Sequence, residues 1–402
     1  MEMQSPSAVR GILDGLHEAG YEAYIVGGSL RDTLLGRAPH DWDVTTSALP
    51  EQTLSVFRHR RTILTGMKHG TVTVLAEEKG SPLPVEITTY RIDGDYLDAR
   101  HPSTVTFTPN IADDLSRRDF TVCAMAWSPY GEGDGLVDLF GGRNDLDARL
   151  IRCVGDPEQR FREDALRILR AYRFAAQLSF DIDPATRAGA QICAPLLARI
   201  SVERIAAELS RTVTSPNAAE ALTMMIEDDV LGRICTDLDQ SGIPRLAALP
   251  PELALRLAAL FRRTPVDRVN AVLTGLRFPG AVVRRVCAAL ALCDVPMEKD
   301  APLGVRRLLR VGGQAAVTDS LTLRAAFGED VYVYRLALER SLERGDCTDL
   351  AHLALTGGDL AALGVPRGPD IGRILGRLLD AVIEDPAQNE KEKLLKLARA
   401  ML

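Results

Sequence analysis

Near residue 150 the apolar pattern of this 402-residue chain changes its period. Upstream, Tyr24-Ile25-Val26, Thr71-Val72-Thr73-Val74-Leu75, Val85-Glu86-Ile87-Thr88-Thr89-Tyr90, Thr104-Val105-Thr106-Phe107 and Leu136-Val137-Asp138-Leu139 each read as a short strand. A helix precedes them all over 7–20, with Val9, Ile12, Leu13 and Leu16 at helical spacing. Downstream, alanine, leucine and arginine take over at helical spacing. Asp183-Pro184, Ser215-Pro216, Gly242-Ile243-Pro244 and Pro250-Pro251 punctuate that region. A period of two and a period of 3.6 bury different faces, so the chain divides into a small mixed part and a long helical part. The expected fold class is α+β: an N-terminal head with a mixed sheet at 1–147, then a helical neck at 148–214, a helical body at 215–300 and a helical tail at 301–402. No period of 20–50 residues marks a solenoid.

Composition removes several function classes. No run of about 18 apolar residues exists, so no membrane span is expected. The start, Met1-Glu2-Met3-Gln4-Ser5-Pro6, lacks a basic region followed by an apolar one, so no secretion signal is expected. The seven cysteines are odd in number, scattered and without a Cys-x-x-Cys pair. That argues against a disulfide framework or a zinc site and for a reducing, cytoplasmic setting. The six histidines are widely separated, which argues against a metal-dependent phosphohydrolase. The formal net charge is −7, so an RNA partner would need local basic patches.

Three segments carry chemistry. In Gly27-Gly28-Ser29-Leu30-Arg31-Asp32, glycines open a strand-to-helix turn where backbone can approach a phosphate. Arg31 adds a planar fork of donors. In Asp41-Trp42-Asp43, strand alternation sends both carboxylates to one face and Trp42 to the other, a site for a hard cation such as Mg2+. Glu86 is either a third acid on a neighbouring strand or an outward-facing strand residue. The second segment is Asp113-Asp114-Leu115-Ser116-Arg117-Arg118-Asp119-Phe120-Thr121, which either reaches a ligand with Arg118 and Asp119 or forms a salt-bridged helix start. The third, 161–174, reads as one helix. Arg167, Arg170 and Arg173 with Asp164 form a polar stripe on it, with few acids beside them. The alternative is a surface helix with a Glu163–Arg167 pair.

Together these segments resemble the class II CCA tRNA nucleotidyltransferase and poly(A) polymerase family, which has a polymerase-beta-like nucleotidyltransferase head. The motifs run from about Ala23 to about Arg211 and include Ser201-Val202-Glu203-Arg204-Ile205. The resemblance implies Mg2+ on Asp41 and Asp43, and the triphosphate on Gly28 and Arg31. It implies that Arg118 meets the nucleotide and Asp119 the ribose. Asp164 and Arg167 would read the base of CTP or ATP, with Arg170 and Arg173 supporting them. The partner implied is tRNA, bound by a monomer or homodimer. One departure is Cys123, where the family pattern has Asn after Arg-Arg-Asp-Phe-Thr and a small apolar residue. The polar segment at 90–102 resembles the loop of enzymes that complete CCA; A-adding, CC-adding and poly(A)-adding relatives are the alternatives. Arg262-Arg263, Arg284-Arg285 and Arg306-Arg307 in the helical region are either RNA phosphate contacts or solvated helix faces.

Overall fold

The computed structural model describes residue 3 and residues 5–64, 66–94 and 104–402. The chain forms two compact units, Met1–Thr236 and Asp237–Leu402.

The first unit opens with α1 (Ser7–Glu18), whose Val9, Ile12, Leu13 and Leu16 are buried as their spacing requires. There follow β1 (Ala23–Val26), α2 (Gly27–Leu34), β2 (Trp42–Thr46), α3 (Pro50–Val56), β3 (Thr62–Ile63), β4 (Thr71–Glu78) and β5 (Ser81–Thr89). Next come β6 (Arg91–Asp93), β7 (Val105–Phe107), α4 (Ile111–Ser116), β8 (Met125–Trp127) and β9 (Leu136–Asp138). Seven strands make one sheet in the order β3-β4-β5-β2-β1-β8-β9. All neighbours are antiparallel except β2 and β5, so the sheet is mixed as expected. A parallel pair cannot close through a hairpin, and the segment carrying α3, β3 and β4 makes the crossover. Val26, Leu115 and Ala126 bury one apolar cluster between β1, α4 and β8.

Helices then dominate the rest of this unit: α5 (Gly142–Asp147), α6 (Pro157–Glu163), α7 (Leu166–Leu178), α8 (Pro184–Cys193), α9 (Val202–Val213), α10 (Ala218–Glu227) and α11 (Leu231–Ile234). Two short strands, β10 (Leu150–Ile151) and β11 (Asp181–Ile182), pair in parallel among them. The single helix expected over 161–174 is two helices. Asp164 is extended (φ −141°, ψ 103°), and its Oδ1 accepts the Leu166 N–H at 3.0 Å. An aspartate that bonds the backbone two residues on favours a turn over a helix interior, and a new helix starts there.

The second unit is all-helical: α12 (Leu253–Leu260), α13 (Val266–Gly275), α14 (Gly280–Cys293), α15 (Ala301–Ala326), α16 (Tyr332–Arg344), α17 (Gly357–Ala362), α18 (Pro369–Glu384) and α19 (Lys391–Met401). α15 is interrupted at Gly313 (φ 72°, ψ 175°), a backbone conformation that glycine alone adopts readily. Among the described residues, two apolar clusters lie in the unit's later helices. One is centred on Val305, Val317 and Leu321, the other on Leu360, Leu378 and Leu394.

Candidate active site

β1 ends at Val26 and α2 begins at Gly27, which has φ 69°. A Cβ there would lie 3.3 Å from Arg118 Nη1 and 3.4 Å from Asp43 Oδ2. Glycine therefore serves both the left-handed turn and the close approach of an arginine and a carboxylate. The strand registers explain why these groups meet. Val26 is paired with Asp43 on β2, and Asp43 with Glu86 on β5. Trp42 is buried, Asp43 is half-buried, and Asp41, just ahead of the strand, is exposed. Glu86 is exposed on its strand and also sits beside Asp43. The Asp43 carboxyl is pushed up to about 6, by burial first and then by Glu86 and Asp41, against the pull of Arg118. Like charges are thus concentrated where a cation would relieve them.

Among the described residues, no three side chains of His, Cys, Asp and Glu are grouped tightly enough to hold a metal ion unaided. That is compatible with Mg2+. This ion commonly takes one or two protein carboxylates and completes its shell with water and substrate phosphate.

Arg118 owes its place to Asp114, which the sequence reading did not single out. Asp114 is fully buried and accepts from Arg118 Nη2 at 3.1 Å, Arg117 Nη2 at 2.6 Å and Thr45 Oγ1 at 3.2 Å. Burial raises its pKa, but Arg118 and Arg117 outweigh that and hold the carboxyl below its usual range. The four-residue spacing of Asp114 and Arg118 was the available signal. Arg31 is also buried. It donates to Asp32 at 2.7 and 2.8 Å and to Cys123 Sγ at 3.5 Å, and lies 5.1 Å from the Phe174 ring centre. The residue that departs from the family pattern therefore faces an arginine of the site. A thiol is a weaker acceptor there than an amide oxygen.

The arginine stripe is rich in acids, contrary to the expectation of few, and the Glu163–Arg167 pair of the alternative reading is present. Arg167 pairs with Glu163 at 2.8 Å and donates to the Arg117 carbonyl at 3.1 Å. Arg170 meets Asp119 Oδ2 at 2.6 Å. Arg173 meets Glu208 at 2.6 Å and Gln177 at 2.7 Å. Asp119 is held below the usual carboxylate range because Arg170 and Arg167 outweigh the effect of its burial. Asp164, off the helix, pairs with Arg204 at 2.7 Å. Arg204 and Glu208 both come from α9, in and just beyond the Ser201-Val202-Glu203-Arg204-Ile205 segment. Sequence reasoning gave neither a role. The structure thus brings Gly27, Asp43, Glu86 and Arg118 together, and joins Asp119 to Arg170 and Asp164 to Arg204.

Elsewhere, most of the paired arginines of the second unit are structural. Arg285 binds Asp319 and Glu252, Arg307 binds Glu298 and Glu384, Arg262 binds Asp294, and Arg306 donates to the Ile383 carbonyl. Arg263 and Arg284 are exposed. Most of the 90–102 segment lies outside the described residues. Among those described, no helix is long and apolar enough to cross a membrane.

Residues 23–152 match the Poly A polymerase head domain family. Residues 179–240 match the family described as "Probable RNA and SrmB- binding site of polymerase A", and 255–398 the one described as "tRNA nucleotidyltransferase domain 2 putative". The CCA-adding enzyme of Limosilactobacillus fermentum is 37% identical over 98% of this chain and 96% of its own. That of Geobacillus stearothermophilus is 38% identical over 96% and 94%. Among solved structures, the Bacillus stearothermophilus CCA-adding enzyme in complex with CTP is similar with a TM-score of 0.84 and 34% identity over 98% of both chains. The Thermotoga maritima CCA-adding enzyme complexed with tRNA_CCA has a TM-score of 0.70 at 21% identity, covering 100% of this chain and 97% of its own, a likeness of fold.

Proposed function

The chain belongs to the CCA-adding enzyme family of tRNA nucleotidyltransferases, and on that premise we propose how its own residues carry the reaction. The enzyme adds the 3′-terminal CCA to tRNA. The tRNA 3′-hydroxyl attacks the α-phosphate of CTP, twice, and then that of ATP, and pyrophosphate leaves each time. We assign 1–147 as the catalytic head, 148–214 as the neck that reads the base, and 215–300 and 301–402 as the body and tail that take the tRNA.

Gly27 and Gly28 let the first turn of α2 approach the triphosphate, and Arg118 and Arg31 offset its charge. Asp41 and Asp43 would hold Mg2+, with Glu86 as the third acid beside them. Bound there, the ion would polarise the reacting phosphate and lower the pKa of the attacking hydroxyl. Asp119, fixed by Arg170, faces the ribose. Asp164 and Arg167 keep capacity for a base edge. A carboxylate offers about four acceptor positions, and Asp164 uses three, on the Leu166 N–H and two Arg204 donors. A guanidinium carries about five N–H donors, and Arg167 uses three, on Glu163 and two carbonyls. One acceptor and two donors remain for an exocyclic amino group and its neighbouring acceptors.

The observation that carries the chemical half is the meeting of Asp43, Glu86, Arg118 and Gly27 at one turn. The test is incubation with tRNA lacking its 3′ end, Mg2+, and labelled CTP or ATP, singly and together. Asp41→Ala and Asp43→Ala abolish incorporation and leave tRNA binding nearly intact; full activity in either sinks the metal assignment. Asp164→Ala disturbs the choice between CTP and ATP, and an unchanged choice removes its base-reading role.

A further inference from the structure

Beside the site lies a cleft of about 410 Å³ of which the mechanism uses Arg31 alone. Arg31, Asp32, Arg37, His40, Gln177 and Arg211 are among the residues lining it. It is built from three local structures. α2 ends in a turn closed by the Arg37 N–H on the Asp32 carbonyl at 2.8 Å. The end of α7 supplies Gln177, and the last turn of α9 supplies Arg211. The Asn217 N–H on the Ala176 carbonyl, at 3.1 Å, ties the chain beyond α9 to α7.

The charges in the cleft are unbalanced. Asp32 is engaged by Arg31 at 2.7 Å. Arg37 and Arg211 are exposed, and among the described residues neither side chain has a hydrogen bond or ion pair. Elsewhere in this unit the arginines of α6 and α7, and Arg204 of α9, are each matched by an acid. Two unmatched guanidinium groups and a histidine around one concavity call for an anion with more than one charged group.

Its position selects which anion. The triphosphate cradle is at the first turn of α2, whereas Arg37 follows its last turn, about 12 Å along the helix axis. His40, on the rim, directly precedes Asp41. Because His40 of the lining is the chain neighbour of Asp41, a strand whose 3′-hydroxyl lay at Asp41 and Asp43 would have this cleft beside its next phosphates. We propose that the cleft binds backbone phosphates of the tRNA 3′ strand, just upstream of the reacting hydroxyl. This rests on the tRNA-directed reading above. Contacts of this kind fix the register of the strand without reading its sequence, which suits an end that lengthens by one nucleotide per turnover.

The test is the salt dependence of binding to tRNA lacking its terminal CCA, measured without nucleotide. Each phosphate contact on a single strand contributes about 0.7 to the slope of log affinity against log salt. Arg37→Ala and Arg211→Ala should each lower that slope by about 0.7, and the double variant by about 1.4. Arg37→Lys with Arg211→Lys should keep it, and the KM for CTP and the inhibition by pyrophosphate should not move. An unchanged slope in the double alanine variant overturns the proposal. So does a raised KM for CTP or weakened pyrophosphate inhibition at unchanged slope, which gives the cleft to a triphosphate. If the wild-type protein binds no tRNA, the broader reading fails instead, and that result is separate from any effect of the variants.

Discussion

Replacing Glu208 with alanine should destabilise the first unit far more than the loss of one exposed carboxylate. Glu208 and Arg173 keep 6% and 7% of their side-chain surface and meet at 2.6 Å between α9 and α7. Removing one partner strands the other as a buried charge, at a cost of about 3–5 kcal/mol. Yet the pair is a weak stabiliser as it stands. Its contacting Nε and Oε2 lack the alignment of a hydrogen bond. Burial lowers the Arg173 pKa by more than Glu208 restores. An apolar pair of similar volume, Arg173→Met with Glu208→Leu, should therefore lie between about neutral and about 4 kcal/mol more stable than wild type. Urea unfolding followed by tryptophan fluorescence reads this cleanly, because both tryptophans, Trp42 and Trp127, are buried in the first unit. A loss under about 1 kcal/mol for Glu208→Ala, or a double variant as unstable as the single one, refutes the reasoning. The double variant also tests Arg173 as a nucleotide contact. If it folds and keeps its KM for CTP, Arg173 serves packing alone.

Three further outcomes are expected. In the presence of a chelator, Asp43→Asn should gain up to about 3 kcal/mol at pH 7. The wild-type carboxyl titrates near 6 instead of 3.8, so the folded state binds the proton more tightly and loses stability as pH rises through that window. The gain should vanish below pH 3.8, and a gain independent of pH contradicts the charge argument. Gly27→Ala should cost about 1–2 kcal/mol through its positive φ and raise the KM for both nucleotides by displacing Arg118; an unaltered KM would show that the close approach is idle. Arg204→Ala should weaken discrimination between CTP and ATP with tRNA affinity unchanged, and steady-state competition between the two nucleotides decides it.

What could be read from the sequence was what is local. The Gly27 turn, the burial of Trp42 and the place of Asp43 follow from a strand of period two running into a glycine. The Asp43–Glu86 adjacency could be guessed only as one of two options, because the β2–β5 register depends on a crossover whose geometry no short window contains. Of the acids that match the arginine row, Glu163 was open to reading as the partner of Arg167 four positions on, whereas Asp119 and Glu208 were invisible for the same reason. Asp119 is 51 positions from Arg170, and Glu208 comes from a different helix. The break at Asp164 was missed because apolar residues on both sides keep helical spacing, while the cause of the break is one side chain bonding backbone two residues on.

That break gives the site a rotational phase. Asp164 is placed by extended backbone and by Arg204, whereas Arg167 is placed by the winding of α7. The two share no common helix; Ala165 and the first residue of α7 join them, and the joint is held by the Leu166 N–H on Asp164 Oδ1 and the Arg167 N–H on the Asp164 carbonyl at 2.9 Å. One residue inserted there would turn every side chain of α7 by about 100° about the helix axis relative to Asp164. Arg170 would swing off Asp119 in the same movement. On the roles proposed for Asp164, Arg167 and Asp119, the length of this two-residue joint would tune base reading and ribose placement together, while the carboxylates on β2 would keep their positions.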